Sequence, residues 1–147
     1  MENLIARGMQ ITPSCCLCNG SEETMGHLFL HCSFVGSIWE DVLSPLRSHG
    51  LSMSNFITVE ALLNAWPRAR GTEFGLKVGK LAPYAVIWSV WRARNDSIFR
   101  NRTRTAEQVR KEVMAFLWNW MANDDQRGDH HFRELLLDWV SLIQGIG

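Results

Sequence analysis

The chain has 147 residues, 46% of them hydrophobic, which is enough to bury a core in one domain, and its 15 Lys and Arg balance 15 Asp and Glu. That composition excludes a disordered tail, and no apolar run approaches the roughly 18–20 residues needed to cross a bilayer. The opening residues MENLIARGMQIT lack the basic start and apolar stretch of a secretory signal, so an intracellular protein is expected, nuclear or cytoplasmic, with organelle targeting left open. Charge is unevenly spread: residues 1–67 hold 2 cationic against 6 acidic side chains, residues 68–111 hold 11 against 3, and residues 112–147 hold 2 against 6. A basic middle can bind polyanions, but flanks of opposite sign can also neutralise it.

In chain order, ENLIARG reads as a short helical turn closed by Gly8. The segment Ser14 to Phe34, SCCLCNGSEETMGHLFLHCSF, then gathers all four cysteines and two of the five histidines. SIWEDVLSPLRSHG places Ile38, Trp39, Val42, Leu43 and Leu46 on one helical face, and Pro45 should kink or end that helix. NFITVEALLNAWP repeats the pattern with Val59, Leu62, Leu63 and Trp66 and stops at Pro67; the polar stretch RARGTE follows as a loop.

The next helix is predicted to start at Pro83, a residue suited to a first turn. Tyr84, Ile87, Trp88, Trp91, Asn95, Ile98 and Phe99 then fall within about 120° of one another, an apolar stripe expected to face inward. Asn95, the one polar residue in that stripe, is expected to act as a buried register pin. TAEQ at Thr105 to Gln108 reads as a capping box opening a helix with Val109, Val113, Phe116, Leu117 and Trp120 inward. NDDQRGD breaks it, and HFRELLLDWVSLI supplies a last amphipathic helix through Leu135, Leu136, Trp139, Val140 and Ile143. The fold class is therefore mainly α: a Cys- and His-rich knot over residues 1–35, packed on a small Trp-rich helical bundle over residues 36–147 as one compact domain.

The knot rests on cysteine spacing. Apolar packing rewards no fixed spacing of thiols, and a reducing compartment disfavours disulfides, so a Cys/His cluster points to metal. Cys15, Cys18, His27 and Cys32 form the string C-x2-C-x8-H-x4-C. Three thiolates and an imidazole suit tetrahedral zinc and leave no open position for water or substrate, which makes the site structural. Cys16 is expected to point away, because Cys16-x-Cys18 is too short a chelate. His31 is the alternative fourth donor through H-x3-H, with Cys32 preferred as the better zinc ligand. Leu28, Phe29 and Phe34 would anchor the knot to the helices.

ENLIARGMQI, CCLCNGSEETMGHLFLHCSFVGSIW and, further on, IWSVWRARNDSIF together resemble the reverse-transcriptase zinc-binding domain at the C-terminal end of plant LINE-type retrotransposon polyproteins. In that family an NL..RG element precedes the C-x2-C, a Glu pair, H-L-F-x-x-C, a helix with Trp and a W..RN..IF helix. The resemblance runs from Glu2 to about Phe99 and implies zinc ligands at Cys15, Cys18, His27 and Cys32. It does not imply polymerase activity, because the paired-aspartate polymerase signature is missing; no enzyme is expected. With Met1 just before the NL..RG element, the reading frame resembles a truncated remnant or an exapted host protein.

Two functional classes follow. In the first, zinc fixes the knot and Trp-rich helices present a face to another protein, or to a second copy in a homodimer. In the second, Arg92, Arg94, Arg100, Arg102 and Arg104 contact the phosphates of RNA or DNA beside a stacking aromatic. Net neutrality predicts weak affinity for polyanions, whereas seven Trp and seven Phe exceed what a small helical core often needs, so a protein partner is favoured. No membrane and no small-molecule substrate are expected.

Overall fold

The computed structural model describes residues 14–20, 22–49 and 55–144. The turn predicted around ENLIARG and Gly8 lies outside the described residues. After a π-helical turn at His27–His31, the helices run α1 (Ser33–Leu43), α2 (Val59–Ala65), α3 (Glu73–Phe99), α4 (Ala106–Trp120), α5 (Phe132–Leu137) and α6 (Trp139–Gln144). Among the described residues there is no strand, only an isolated antiparallel bridge between Ser14 and Glu22. None of these helices is long and apolar enough to cross a membrane.

Local chemistry sets most boundaries as the sequence suggested. α1 ends at Leu43, where Pro45 cannot continue α-helical bonding, and the chain tightens into a 3-10 turn at Ser44–His49. The Thr58 hydroxyl caps α2 by accepting from Ala61 N at 3.1 Å. At α4 the capping box is complete: Thr105 Oγ1 accepts from Gln108 N at 3.1 Å, and Gln108 Oε1 accepts from Thr105 N at 2.9 Å.

α3 departs from the predicted helix in two ways. It begins at Glu73, capped by Thr72, and carries Pro83 in its interior. A proline there removes the donor to the carbonyl four residues back, Gly79. That carbonyl instead accepts from the Trp66 indole Nε1 at 2.9 Å, so the backbone group left over by Pro83 is satisfied from outside the helix. The facing is also inverted. α3 buries Phe74, Val78, Ala82, Val86, Val90 and Ala93, with Ser89 and the glycines 75 and 79 among them. Of the stripe expected inside, Tyr84 is 51%, Trp88 46%, Trp91 39% and Phe99 56% exposed. Small inner residues let neighbours approach closely: a Cβ on Gly75 would fall 2.5 Å from the Leu142 carbonyl oxygen, and one on Gly79 would fall 2.9 Å from the Ala69 Cβ.

Asn95 is half-buried at the edge of that outer face, its amide oxygen accepting from Arg94 Nη1 at 3.3 Å, so it is not a core register pin. In α4, Val109, Val113 and Leu117 are buried as expected, together with Met114, but Phe116 is only half-buried and Trp120 is exposed. The predicted last helix is two, broken at Asp138; Leu135, Trp139 and Ile143 face the core and Val140 does not.

The core forms where α3 and α4 pack together and α1 closes over both. The C-terminal turns are tied back by polar bonds: Trp139 Nε1 donates to the Val42 carbonyl at 3.0 Å, Gln144 Nε2 to the Pro45 carbonyl at 3.0 Å, and Arg70 N to the Ile143 carbonyl at 2.8 Å. Trp39 is fully buried in α1, its indole donating to the Phe29 carbonyl at 2.7 Å. Truncating it removes both packing and a buried donor, so Trp39→Ala should cost about 3–5 kcal/mol. Trp91→Ala, on the outer face, should cost about 1 kcal/mol or less. Urea denaturation of the two variants tests the inverted facing; the opposite ranking would return Trp91 to the core.

Candidate metal centre

Four side chains converge at the N-terminal end. One donor atom each from Cys15, Cys18, His27 and Cys32 lies within 4.8 Å of the other three. A tight turn presents the first pair, closed by the Asn19 N to Cys15 carbonyl bond of 2.8 Å and by left-handed backbone at Asn19. The second pair is set by the π turn. His27 and Cys32 are five residues apart, and the Cys32 N–H donates to the His27 carbonyl at 2.7 Å, the i to i+5 bond of a π-helix. That bond closes the turn that brings Cys32 back beside His27.

The same geometry decides the fourth donor. His31 lies outside the cluster: its ring is exposed and its Nε2 is bonded to the Phe56 carbonyl at 2.8 Å. Cys16 is also outside, half-buried and directed to the Ser97 hydroxyl, its thiol pushed up by burial.

The donor set fits zinc in kind and in size. Zinc–sulfur bonds of about 2.3 Å at tetrahedral angles put two sulfurs about 3.8 Å apart. Cys15 Sγ and Cys32 Sγ are 3.8 Å apart, and Cys18 Sγ is 3.3 Å from His27 Nε2. Cys15 and Cys32 are fully buried, so their charges need a partner. The hydrogen bond shared by the two sulfurs holds the Cys15 thiol down at about 5, while that same contact, then burial, push Cys32 up. One proton shared between two thiols is what such a pair does without a cation; a divalent ion would replace it and let all three sulfurs ionise. The cluster is a structural zinc site.

Leu28 and Phe29 are buried and Phe34 is half-buried, so the knot is seated on the helices by the residues the sequence suggested. A polar anchor escaped sequence reasoning. Glu23 and Arg94 are 2% and 5% exposed, and Arg94 Nε donates to Glu23 Oε1 at 2.6 Å, joining the knot to α3 across 71 residues of sequence. Arg94 is the arginine of the W..RN..IF pattern and Glu23 belongs to the Glu pair, but nothing in either pattern says that the two meet.

The five arginines proposed for phosphate contact do not form one open track. Arg94 is spent on Glu23. Arg104 holds Asp96 and, at 3.2 Å, Glu112, closing the turn between α3 and α4. Arg92 lies over the Phe116 ring, 5.1 Å from its centroid. Arg100 is exposed but paired with Asp96 at 3.4 Å, and Arg102 is exposed, its backbone N–H donating to the Asp96 carbonyl.

Residues 1–39 match the family described as zinc-binding in reverse transcriptase, a span that contains the whole cluster and ends at Trp39 in α1. No curated protein and no solved structure matches the chain.

Two outcomes test this centre. Arg94→Ala breaks the buried ion pair with Glu23 and should cost about 3–5 kcal/mol, whereas Arg102→Ala should stay within about 0.5 kcal/mol; equal, small losses in urea melts would contradict the anchor. The pH dependence has a definite sign. Zinc needs its cysteine ligands as thiolates, so protons compete with the ion for Cys15, Cys18 and Cys32 and acid favours the metal-free chain. Zinc release to a colorimetric chelator should therefore rise on acidification, together with loss of helical circular dichroism, and zinc retained well below pH 4 would rule out thiolate ligation.

Proposed function

We propose that this chain is a non-enzymatic, zinc-stabilised helical interaction module, derived from the tail of a retrotransposon reverse transcriptase, that acts by binding another protein. Cys15, Cys18, His27 and Cys32 hold one zinc ion, and four protein donors leave it no position for water or substrate. The ion's chemistry is then conformational: it orders a short segment poor in apolar residues and fixes it against α3. The non-enzymatic reading is supported by a family match confined to a zinc-binding accessory region.

The observation that carries the protein-binding reading is the outward face of α3. Tyr84, Trp88 and Trp91 stand exposed on one side of a helix whose other side already fills the core, so their aromatic surface is not needed for folding. Aromatic side chains of this kind dominate the energetics of protein interfaces. With Arg94 and Arg104 held by acids and Arg100 paired with Asp96, a phosphate-binding role would fall mainly to the exposed Arg102.

Elemental analysis of protein purified without added metal should give one zinc per chain; less than about half an equivalent speaks against a structural site. Affinity capture from native tissue, with zinc retained, should return a protein partner that survives nuclease. Partners lost on nuclease treatment would favour the nucleic-acid alternative.

A further inference from the structure

We propose that the outward face of α3 floors a docking trough for an acidic amphipathic helix of another protein, an inference that rests on the module reading above and adds the partner's chemistry and seat. Lys77, Lys80, Tyr84, Ile87, Trp88 and Trp91 follow one another at helical spacing, so they stand in one row along α3. From Lys77 to Trp91 that row runs about 21 Å at 1.5 Å per residue. Its two ends differ in chemistry.

Toward Trp91 the row floors a groove of about 420 Å³ walled by Met25, Phe29 and Val59, and no charged side chain lines it. At Tyr84 this groove meets a second, of about 510 Å³, whose wall is the segment 63–69 and whose lining includes Arg68, Lys77, Lys80 and one acid, Glu73. Lys77 is taken by Asp124 at 2.8 Å. Neither Arg68 nor Lys80 is paired with an acid among the described residues. The trough is thus apolar at one end and cationic at the other.

The complement is a segment apolar at one end and acidic at the other. A helix delivers i, i+3 or i+4, and i+7 side chains into an apolar groove, and Asp or Glu one or two turns further along would meet Lys80 and Arg68. A single nucleic-acid strand fits less well. Each stacked base brings a phosphate, and the apolar half supplies no cation to neutralise it. Arg92 is turned over Phe116, and Arg94 is buried on Glu23. Met25 and Phe29 flank His27 in sequence, so one wall of the trough shares its backbone with the metal centre.

The test is selection on the zinc-loaded full chain from a phage-displayed library of random peptides about 16 residues long, enough to span the row. Enriched peptides should combine apolar residues at helical spacing with Asp or Glu at one end. Their dissociation constants should rise at least about tenfold on Trp88→Ala and, separately, on the double change Arg68→Glu and Lys80→Glu. Arg68 and Lys80 are exposed and Trp88 is partly so, packed edge-on against Phe116, so zinc content should match the parent and Trp88→Ala should cost no more than a small fall in melting temperature. Enrichment of peptides without acids, no enrichment, or binding indifferent to both variants overturns the trough. So does a fluorescein-labelled oligouridylate bound through Trp88, which would assign the face to single-stranded nucleic acid, or a dimer in sedimentation that Trp88→Ala dissolves, which would assign it to a second copy. A nuclease-resistant partner retained equally by parent and variants would overturn the trough alone and leave the module reading standing.

Discussion

Two buried thiols 3.8 Å apart cannot both ionise without a cation between them, and the N-terminal region is organised around that electrostatic constraint. The segment between Cys18 and His27 is largely polar and has few apolar side chains with which to fold unaided. What it has is geometry: a tight turn at Cys15–Cys18 and a π turn from His27 to Cys32, each bringing two donors to one point. A π turn is an unfavourable local choice, rare and usually tied to function. Here its i to i+5 bond closes the H-x4-C spacing, bringing His27 and Cys32 into one donor set.

From the metal centre the constraint passes to α3 by two routes. One is apolar, through Leu28 and Phe29 in the core. The other is the buried Glu23–Arg94 ion pair. A buried pair is weak evidence of net stabilisation, because desolvation offsets most of the attraction, but removing either partner is costly. Its consequence is positional: the knot sits where Glu23 meets Arg94, and Met25 and Phe29 are thereby set along the outer side of α3.

Much of this was legible in the sequence because it depended on local chemistry. The C-x2-C pair, the capping box at Thr105 and the break at Pro45 each involve residues within a few positions of one another. What could not be read was decided by partners far along the chain. Pro83 marks a helix start unless something supplies the donor it removes, and the Trp66 indole does so from 13 residues away. Asp138 interrupts the last amphipathic pattern where Trp139 reaches the Val42 carbonyl. Arg94 and Glu23 each belong to a pattern visible in the sequence, but only the fold pairs them, 71 residues apart.

The inversion of α3 has a different cause, and it bears on function. Periodicity finds a face only when apolar and polar residues alternate around the helix. α3 is apolar on both sides: small residues, Val and Phe74 on one, large aromatics on the other. Hydrophobicity weighted by size therefore selects the wrong side. Closeness of approach selects the right one, since Gly75 and Gly79 admit the Leu142 carbonyl and Ala69 where a larger side chain would clash. A core built on small residues is full without the aromatics, and Tyr84, Trp88 and Trp91 remain over. A helix in a chain of this size that needed only one packed face would be expected to carry polar residues on the other. Apolar bulk there, beside walls fixed by the metal centre, is the observation on which the proposed docking face rests.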